Sequence, residues 1–323
     1  LKKKIKPMDV NQIVELILEK PYYMRMGAEN IANRLRVSSD EIREAKKIVH
    51  RKRLLSEVPP DKLNPHKVPK ILILDIETAP IRAYVWRLWK QNIYLDQIIS
   101  NWFMISWAAK WLLEDSIMSQ VLTPNEIRKE DDERIVETLW HILNQADIVV
   151  AHNGEKFDVP RIKARFLVHE LPPTTFYQQI DTLKVAKREF SFPSNKLEAL
   201  ARACGIEGKD ETDFNLWSSC MDGDKESLKR MELYNRQDVK VLEEVYLWMR
   251  PYIKSHPNYN LYIDSDKPVC PHCGGDHLEF VGYYYFTQTG KYKNYRCLDC
   301  GALSRERKTV FQNSKSILVS NGR

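Results

Sequence analysis

Two acids close the run ILILDIET at residues 71–78. An ionised carboxylate is costly to desolvate unless something positive compensates it, so Asp75 and Glu77 at the end of an apolar strand suggest a bound metal ion. The simpler reading is a strand that ends there and turns to solvent. Two later stretches supply further acids in unusual settings. AHNGEKFDVPRI (151–162) places Asp158 near the mouth of a helix, and YNRQDVKVL (234–242) places Asp238 one helical turn after Tyr234, on a shared face.

A second chemistry is carried by sulfur. Cys270 and Cys273, and Cys297 and Cys300, form two C-x-x-C pairs separated by 23 residues. In a cytosolic chain this pattern reads as metal rather than disulfide. Two thiolate pairs suit one tetrahedral Zn²⁺, and the segment resembles a zinc ribbon; an iron site of the rubredoxin kind is the alternative. The metal's role is structural, because so small a unit needs a staple. Gly274 and Gly301 allow the tight turns that aim backbone N–H groups at sulfur, while His272 and His277 are not needed as ligands. Cys204 and Cys220 stand apart and read as buried small residues.

The chain has 323 residues, 43% hydrophobic and 29% charged, enough for about two domains or one larger domain with small attachments. No apolar run is long enough to span a membrane. The start, LKKKIKPMDV, has no apolar stretch of the secretory kind, so an intracellular location is the expectation. The net charge of +6 is unevenly spread. Residues 1–70 carry 17 Lys/Arg against 9 Asp/Glu, residues 266–323 carry 9 against 5, and the middle carries 24 against 30. Basic ends around an acidic centre suit a polyanionic partner, with ordinary solvated surface as the alternative.

Periodicity divides the chain into four parts. Residues 1–56 hold three amphipathic helices, over 10–20, 28–36 and 38–53, the last with Ser38 or Ser39 as its N-cap. The three-residue turn and the following basic helix resemble a helix-turn-helix unit, with Arg43, Lys46, Lys47 and Arg51 available to DNA. A small bundle that contacts protein is the alternative. Residues 57–69 are proline-rich and read as a linker. Residues 70–255 alternate strands (71–78, 101–111, 116–122, 147–153) with helices (131–145, 159–170, 195–205, 226–252), an α/β pattern that predicts a mixed sheet with helices on both faces. Residues 265–315 form the small β unit that carries the cysteines. Its VGYYYFTQTGKYKNYR stretch (281–296) reads as a hairpin whose interleaved aromatics and bases suit single-stranded nucleic acid or fill the unit's own core.

D-x-E at 75–77, N-x-x-x-F-D at 153–158 and Y-x-x-x-D at 234–238, in that order and about 80 residues apart, resemble the three exonuclease motifs of the DnaQ-like superfamily. More narrowly they resemble its DEDDy branch, which includes the 3′–5′ proofreading domains of family B DNA polymerases. Tyr234, with Leu at 233 where the other branch has His, assigns the branch. The resemblance covers residues 70–252 and implies a ribonuclease H-like fold. It further implies that Asp75, Glu77, Asp158 and Asp238 hold two Mg²⁺ or Mn²⁺ ions, for which hard oxygen ligands are suited. Tyr234 then orients the attacking water, since a phenol is a poor base at neutral pH. Asn153 and Phe157 match positions that meet the 3′-terminal nucleotide, against a turn former and a core ring as the local alternatives. Asp181 either caps the following helix, which is the simpler reading, or supports the site from behind.

The resulting expectation is a two-metal 3′–5′ exonuclease acting on DNA, in replication, repair or recombination. A replication protein is a candidate partner, and the setting is cytoplasmic and nucleoid-associated, or phage-encoded in a host cytoplasm. No polymerase body occupies the 85 residues after Asp238, so proofreading in cis is not expected. An exoribonuclease of the same fold and a non-catalytic nucleic-acid-binding protein are the rival readings.

Overall fold

The computed structural model describes residues 8–20, 23, 26–56, 68–206, 213–263, 265–312 and 318–319, without the side chains of 50–56. The linker expected over 57–69 lies outside these residues apart from Val68 and Pro69. Among the described residues no helix is long and apolar enough to cross a membrane.

At the centre lies a five-stranded sheet. Its strands are β1 (Ile71–Thr78), β4 (Met104–Trp111), β5 (Met118–Val121), β6 (Ile148–Ala151) and β7 (Gln178–Asp181), in the order β5-β4-β1-β6-β7. A short hairpin, β2 (Arg82–Ala83) with β3 (Ile98–Ser100), intervenes between β1 and β4. β1 runs antiparallel to β4 and parallel to β6, so the expected mixed sheet is present. Helices α4 (Pro124–Lys129), α5 (Glu133–Leu143), α6 (Asp158–Val168), α7 (Thr182–Glu189), α8 (Leu197–Ala203), α9 (Phe214–Met221) and α10 (Lys225–Met249) flank it.

β1 is apolar on both faces because both are covered. Leu72, Leu74 and Ile76 join a core with Trp107, Leu139 and Trp140. Ile71 and Ile73 join a second core with Leu200, Val239, Leu242 and Val245. Each such fully buried aliphatic side chain contributes about 1.5–3 kcal/mol. The two-residue period of the strand then puts Asp75 and Glu77 on the Ile71 and Ile73 side, toward α10.

A buried ionic cluster holds α6 in place. Asp132, fully buried, accepts the Met104 N–H at 2.8 Å, Arg165 Nε at 2.7 Å, Arg165 Nη2 at 2.6 Å and a 2.5 Å bond from His169. Burial pushes its carboxyl upward, but the hydrogen bonds from His169, Arg165 and the Met104 N–H outweigh this and hold it below the ordinary value. A depressed carboxyl contributes stability above its unfolded pKa, and that contribution disappears as pH falls through the folded value. Removing one member of such a cluster leaves buried charge uncompensated. We predict that Asp132→Ala lowers stability by about 3–5 kcal/mol at pH 7, and that the deficit shrinks below the ordinary carboxyl range near pH 4. Urea melts at pH 7 and pH 3 check this; an equal deficit at both would refute the charge assignment.

Two smaller units flank the sheet domain. α1 (Val10–Glu19), α2 (Ala28–Leu35) and α3 (Ser39–Ser56) pack around Ile13, Ile17, Ile31, Ile42 and Val49. Ser38 caps α3 reciprocally with Glu41. In the tail, β8 (Leu278–Phe286), β9 (Lys291–Cys297) and β10 (Leu303–Arg305) form an antiparallel sheet in the order β10-β9-β8. Its buried centre is Cys270, Cys297 and Ala302 rather than the hairpin aromatics. Tyr283, Tyr285 and Phe286 are exposed, and Lys291 lies 4.0 Å over the Tyr284 ring.

Candidate active site and metal centres

β1 delivers Asp75 and Glu77, and α10 delivers Asp238. One carboxylate oxygen from each lies within 4.8 Å of the others. Three hard oxygen donors converging at this spacing, in a partly buried setting, fit a divalent cation of the Mg²⁺ or Mn²⁺ kind. A bulge adjoins them: Glu77 pairs with Ser106 but Thr78 with Met104, leaving Ile105 as the extra residue of β4. Bulges of this type re-aim side chains beside a site.

Asp158 stands next to this group but outside it. Pairing of β1 with β6 ends at Ile73 and Val150, and beyond it Asp158 Oδ1 accepts the Ile76 N–H at 3.2 Å. Burial pushes the Asp158 carboxyl up to about 7, with the neighbouring Asp181 charge adding to the rise. A carboxyl left costly to ionise by its surroundings is suited to cation binding, because a cation reverses that penalty.

The loop before α6 is held by Asp181, which does both things considered for it. Its oxygens cap α7 through the Leu183 and Lys184 N–H groups at 3.0 and 3.2 Å. They also accept the Asn153 and Glu155 N–H groups at 3.0 and 3.2 Å. Asn153 takes the left-handed conformation, φ 68°, and its carbonyl accepts the Lys156 and Phe157 N–H groups, so it forms the turn itself. Gly154 is required here by close approach: a Cβ would lie 2.5 Å from that of Ala151. The Phe157 ring packs against the core and lies 3.7 Å beneath the Arg161 guanidinium. Tyr234 meets Trp217 edge to face at 6.0 Å.

One polar pair at the site was not anticipated. Asn235 is fully buried between Tyr234 and Asp238; its Nδ2 donates to Asp75 Oδ2 at 2.5 Å, and its Oδ1 accepts the Ser106 hydroxyl at 3.2 Å. Asn235 thus fixes the Asp75 carboxylate in one orientation. The available signal was spacing, since Asn235 precedes Asp238 by three residues and shares its helix face. Groups that orient metal ligands are typically worth 10–100-fold in affinity or activity. We predict that Asn235→Ala weakens Mn²⁺ binding about 30-fold with the melting profile of the fold retained. Calorimetric titration with Mn²⁺ checks this; unchanged affinity would refute the positioning role.

From Thr78, the residue after Glu77, opens a cleft of about 580 Å³ lined by residues including Ile81, Trp102, Arg161, Phe214 and Trp217. Cys220, on the same helix as Trp217, is buried; burial, then the charges of Asp224 and Glu77, push its thiol up to about 12, so it is not a nucleophile.

The cysteines also converge. All four Sγ atoms lie within 4.8 Å of one another, with Cys270 and Cys300 at 3.6 Å and Cys273 and Cys297 at 3.7 Å. A tetrahedral Zn²⁺ with Zn–S bonds of about 2.3 Å sets its sulfurs about 3.8 Å apart, so the donor set fits. The His272 and Gly275 N–H groups each point at sulfur at 3.4 Å. Gly274 and Gly301 both have φ 79°, which supplies the turns expected of them. Neither histidine belongs to the sulfur group: His272 donates to the Ile253 carbonyl at 3.0 Å, and His277 pairs with Asp299 at 2.7 Å.

Of the basic residues on α3, Arg43 is exposed beside Asp40 at 2.5 Å and Lys47 is exposed 3.3 Å from Glu170. Lys46 is half-buried and its ammonium donates to the Met26 carbonyl, which draws it off the outer surface. The Arg51 side chain lies outside the described residues.

A family model, RNase_H_2 of the RNase_H superfamily, matches residues 102–250. The fold of this domain is ribonuclease H-like. The matched span contains Asp158, Tyr234 and Asp238, and β1 with Asp75 and Glu77 lies before it. The family B DNA polymerase of the hyperthermophilic archaeon Pyrobaculum calidifontis is similar with a TM-score of 0.41 and 13% identity, over 62% of this chain and 28% of the polymerase chain. The present chain therefore spans little more than a quarter of that polymerase's length. No curated protein matches the sequence.

Proposed function

We propose that the ribonuclease H-like domain is a metal-dependent 3′–5′ exonuclease of the DEDDy kind that acts on DNA. The observation that carries this reading is the convergence of Asp75, Glu77 and Asp238 within 4.8 Å at the end of the central strand. Two divalent cations bound there would acidify the attacking water and neutralise charge on the leaving 3′-oxygen. Asp75, whose carboxylate is held by Asn235, would be the ligand shared by the two cations. Glu77 and Asp238 would complete the donor set, with Asp158 as the fourth acid. Tyr234 orients the water by hydrogen bonding rather than by taking its proton. Asn153 and Phe157 would meet the terminal nucleotide, the first with its amide and the second with its ring. The basic three-helix unit favours DNA, with Arg43 and Lys47 as its outward cations. The tail is a zinc-stapled unit.

A time course on 5′-labelled single-stranded DNA and RNA of one sequence tests this, with Mg²⁺ and with a chelator. The expected result is a metal-dependent ladder that shortens from the 3′ end, faster on DNA. Faster RNA trimming would reassign the substrate, and binding without cleavage of either polymer would make the domain a binding module.

A further inference from the structure

The chain carries a surface for which the carboxylate site has no need. Between β2 and β3, residues 84–97 leave the sheet, and their large side chains face solvent. Trp86 is 95% exposed and Trp89 79% exposed, whereas Trp107 and Trp140 in the core are 1% exposed. Tyr84 and Tyr94 are exposed beside them. An apolar patch of this kind costs solubility and marks an interaction site.

Two observations indicate what covers it. First, the excursion adjoins the end of β1: its flanking residues Ile81 and Trp102 line the 580 Å³ cleft together with Thr78, the residue after Glu77. In that cleft the Arg161 guanidinium lies 5.6 Å over the Trp102 ring, and its Nε has no hydrogen-bond partner among the described residues. Second, the exposed rings are interleaved with Arg87 and Lys90; Arg87 donates to the Lys90 carbonyl at 3.1 Å, which leaves the guanidinium charge without a carboxylate in that contact. Rings that stack on bases, alternating with cations that meet phosphates, are the means by which proteins hold single-stranded nucleic acid without reading its sequence.

We propose that residues 84–97, with Trp86 and Trp89 as stacking platforms and Arg87 and Lys90 as phosphate contacts, bind the single strand that leads into the carboxylate site. This rests on the nuclease reading for the direction of the strand, not for its binding. The track engages nucleotides upstream of the scissile bond, so it makes long strands better substrates than short ones.

The test uses the full chain in an Asp75→Ala background, in which cleavage is removed and binding alone is read. Fluorescence anisotropy of labelled 20-residue DNA and RNA strands is compared with and without Trp86→Ala/Trp89→Ala. Loss of two stacked bases predicts at least about 30-fold weaker binding, and Trp86→Phe/Trp89→Phe restores most of it. Arg87→Gln/Lys90→Gln lowers the slope of log affinity against log salt by about 1.4. Unchanged affinity in the double Ala variant overturns the proposal. So does conversion of a dimer to a monomer by that variant with affinity retained, which makes the patch a contact between copies of this chain. If the parent chain cuts neither polymer yet the Ala variant binds more weakly, the track stands and the nuclease reading fails.

Discussion

Asp75→Ala is expected to lower metal-dependent cleavage about 1000-fold, equivalent to about 4 kcal/mol of transition-state stabilisation. Asp75 stands on the central strand of the sheet, its neighbours Leu74 and Ile76 are buried, and its carboxylate is one of three that converge within 4.8 Å. Removing it takes one donor from the candidate cation site and strands the amide of Asn235 that held it. The strand itself should survive, because its pairing with β4 and β6 is made by backbone groups and its two cores by other residues. Asp238→Asn keeps the shape of the acid but removes its charge, and the rate should fall by a similar factor. Both variants are compared with the parent in initial rate on one 3′ end, alongside circular dichroism. Retention of parental rate by either would remove that residue from the reaction.

Removing metal from the cysteine cluster is expected to unfold the tail while leaving the sheet domain folded. A structural Zn²⁺ binds its peptide ligands by about 10–16 kcal/mol at neutral pH, and the tail's buried centre holds little besides two cysteines and Ala302. Hydrogen bonds from Cys270, then Cys273, lower the pKa of the Cys300 thiol and so favour the thiolate, the form that binds metal. The cluster is also joined to the end of the sheet domain. His272 donates to Ile253, Tyr259 donates its N–H to the Pro271 carbonyl, and Asn260 donates to Val269. His256 completes the joint: with Nδ1–H donated to Pro257, its Nε2 accepts the Tyr246 hydroxyl at 2.8 Å. Burial holds its pKa near 4, so it stays neutral. Loss of the metal should therefore loosen the segment after α10 as well. Elemental analysis should find one zinc per chain, and hydrogen exchange after chelation or in Cys297→Ser should rise across 253–312. A visible absorption band would assign iron instead, and unchanged exchange would refute the structural role.

The legibility of this molecule in its sequence varied with the range of the physics involved. β1 was readable because its apolar run is local and both its faces are covered; α5 and α10 were readable from their own periodicity. Gly274 and Gly301 were readable because a left-handed turn leaves few residue choices. α4 and α9 were not anticipated, since short helices lack a strong period. The excursion at 84–97 was also missed, because exposed tryptophans have the same letters as buried ones. Lys46 and Lys47 look alike in sequence, yet one is drawn to a carbonyl of its own unit and the other faces outward.

By itself, the sequence determined the kinds of chemistry on offer: hard oxygen donors at 75, 77, 158 and 238, and soft sulfur donors in two pairs. It did so because donor type is a property of the residue and short spacings survive folding. Only the tertiary structure decided how those donors are grouped. It joined Asp75, Glu77 and Asp238, and left Asp158 beside them on the Ile76 N–H. It also inserted Asn235 and Ser106 behind Asp75. The reason is that the contacts of β1 and β4 with α10 are made across more than a hundred residues, where the packing of two cores, not local spacing, sets which side chains meet.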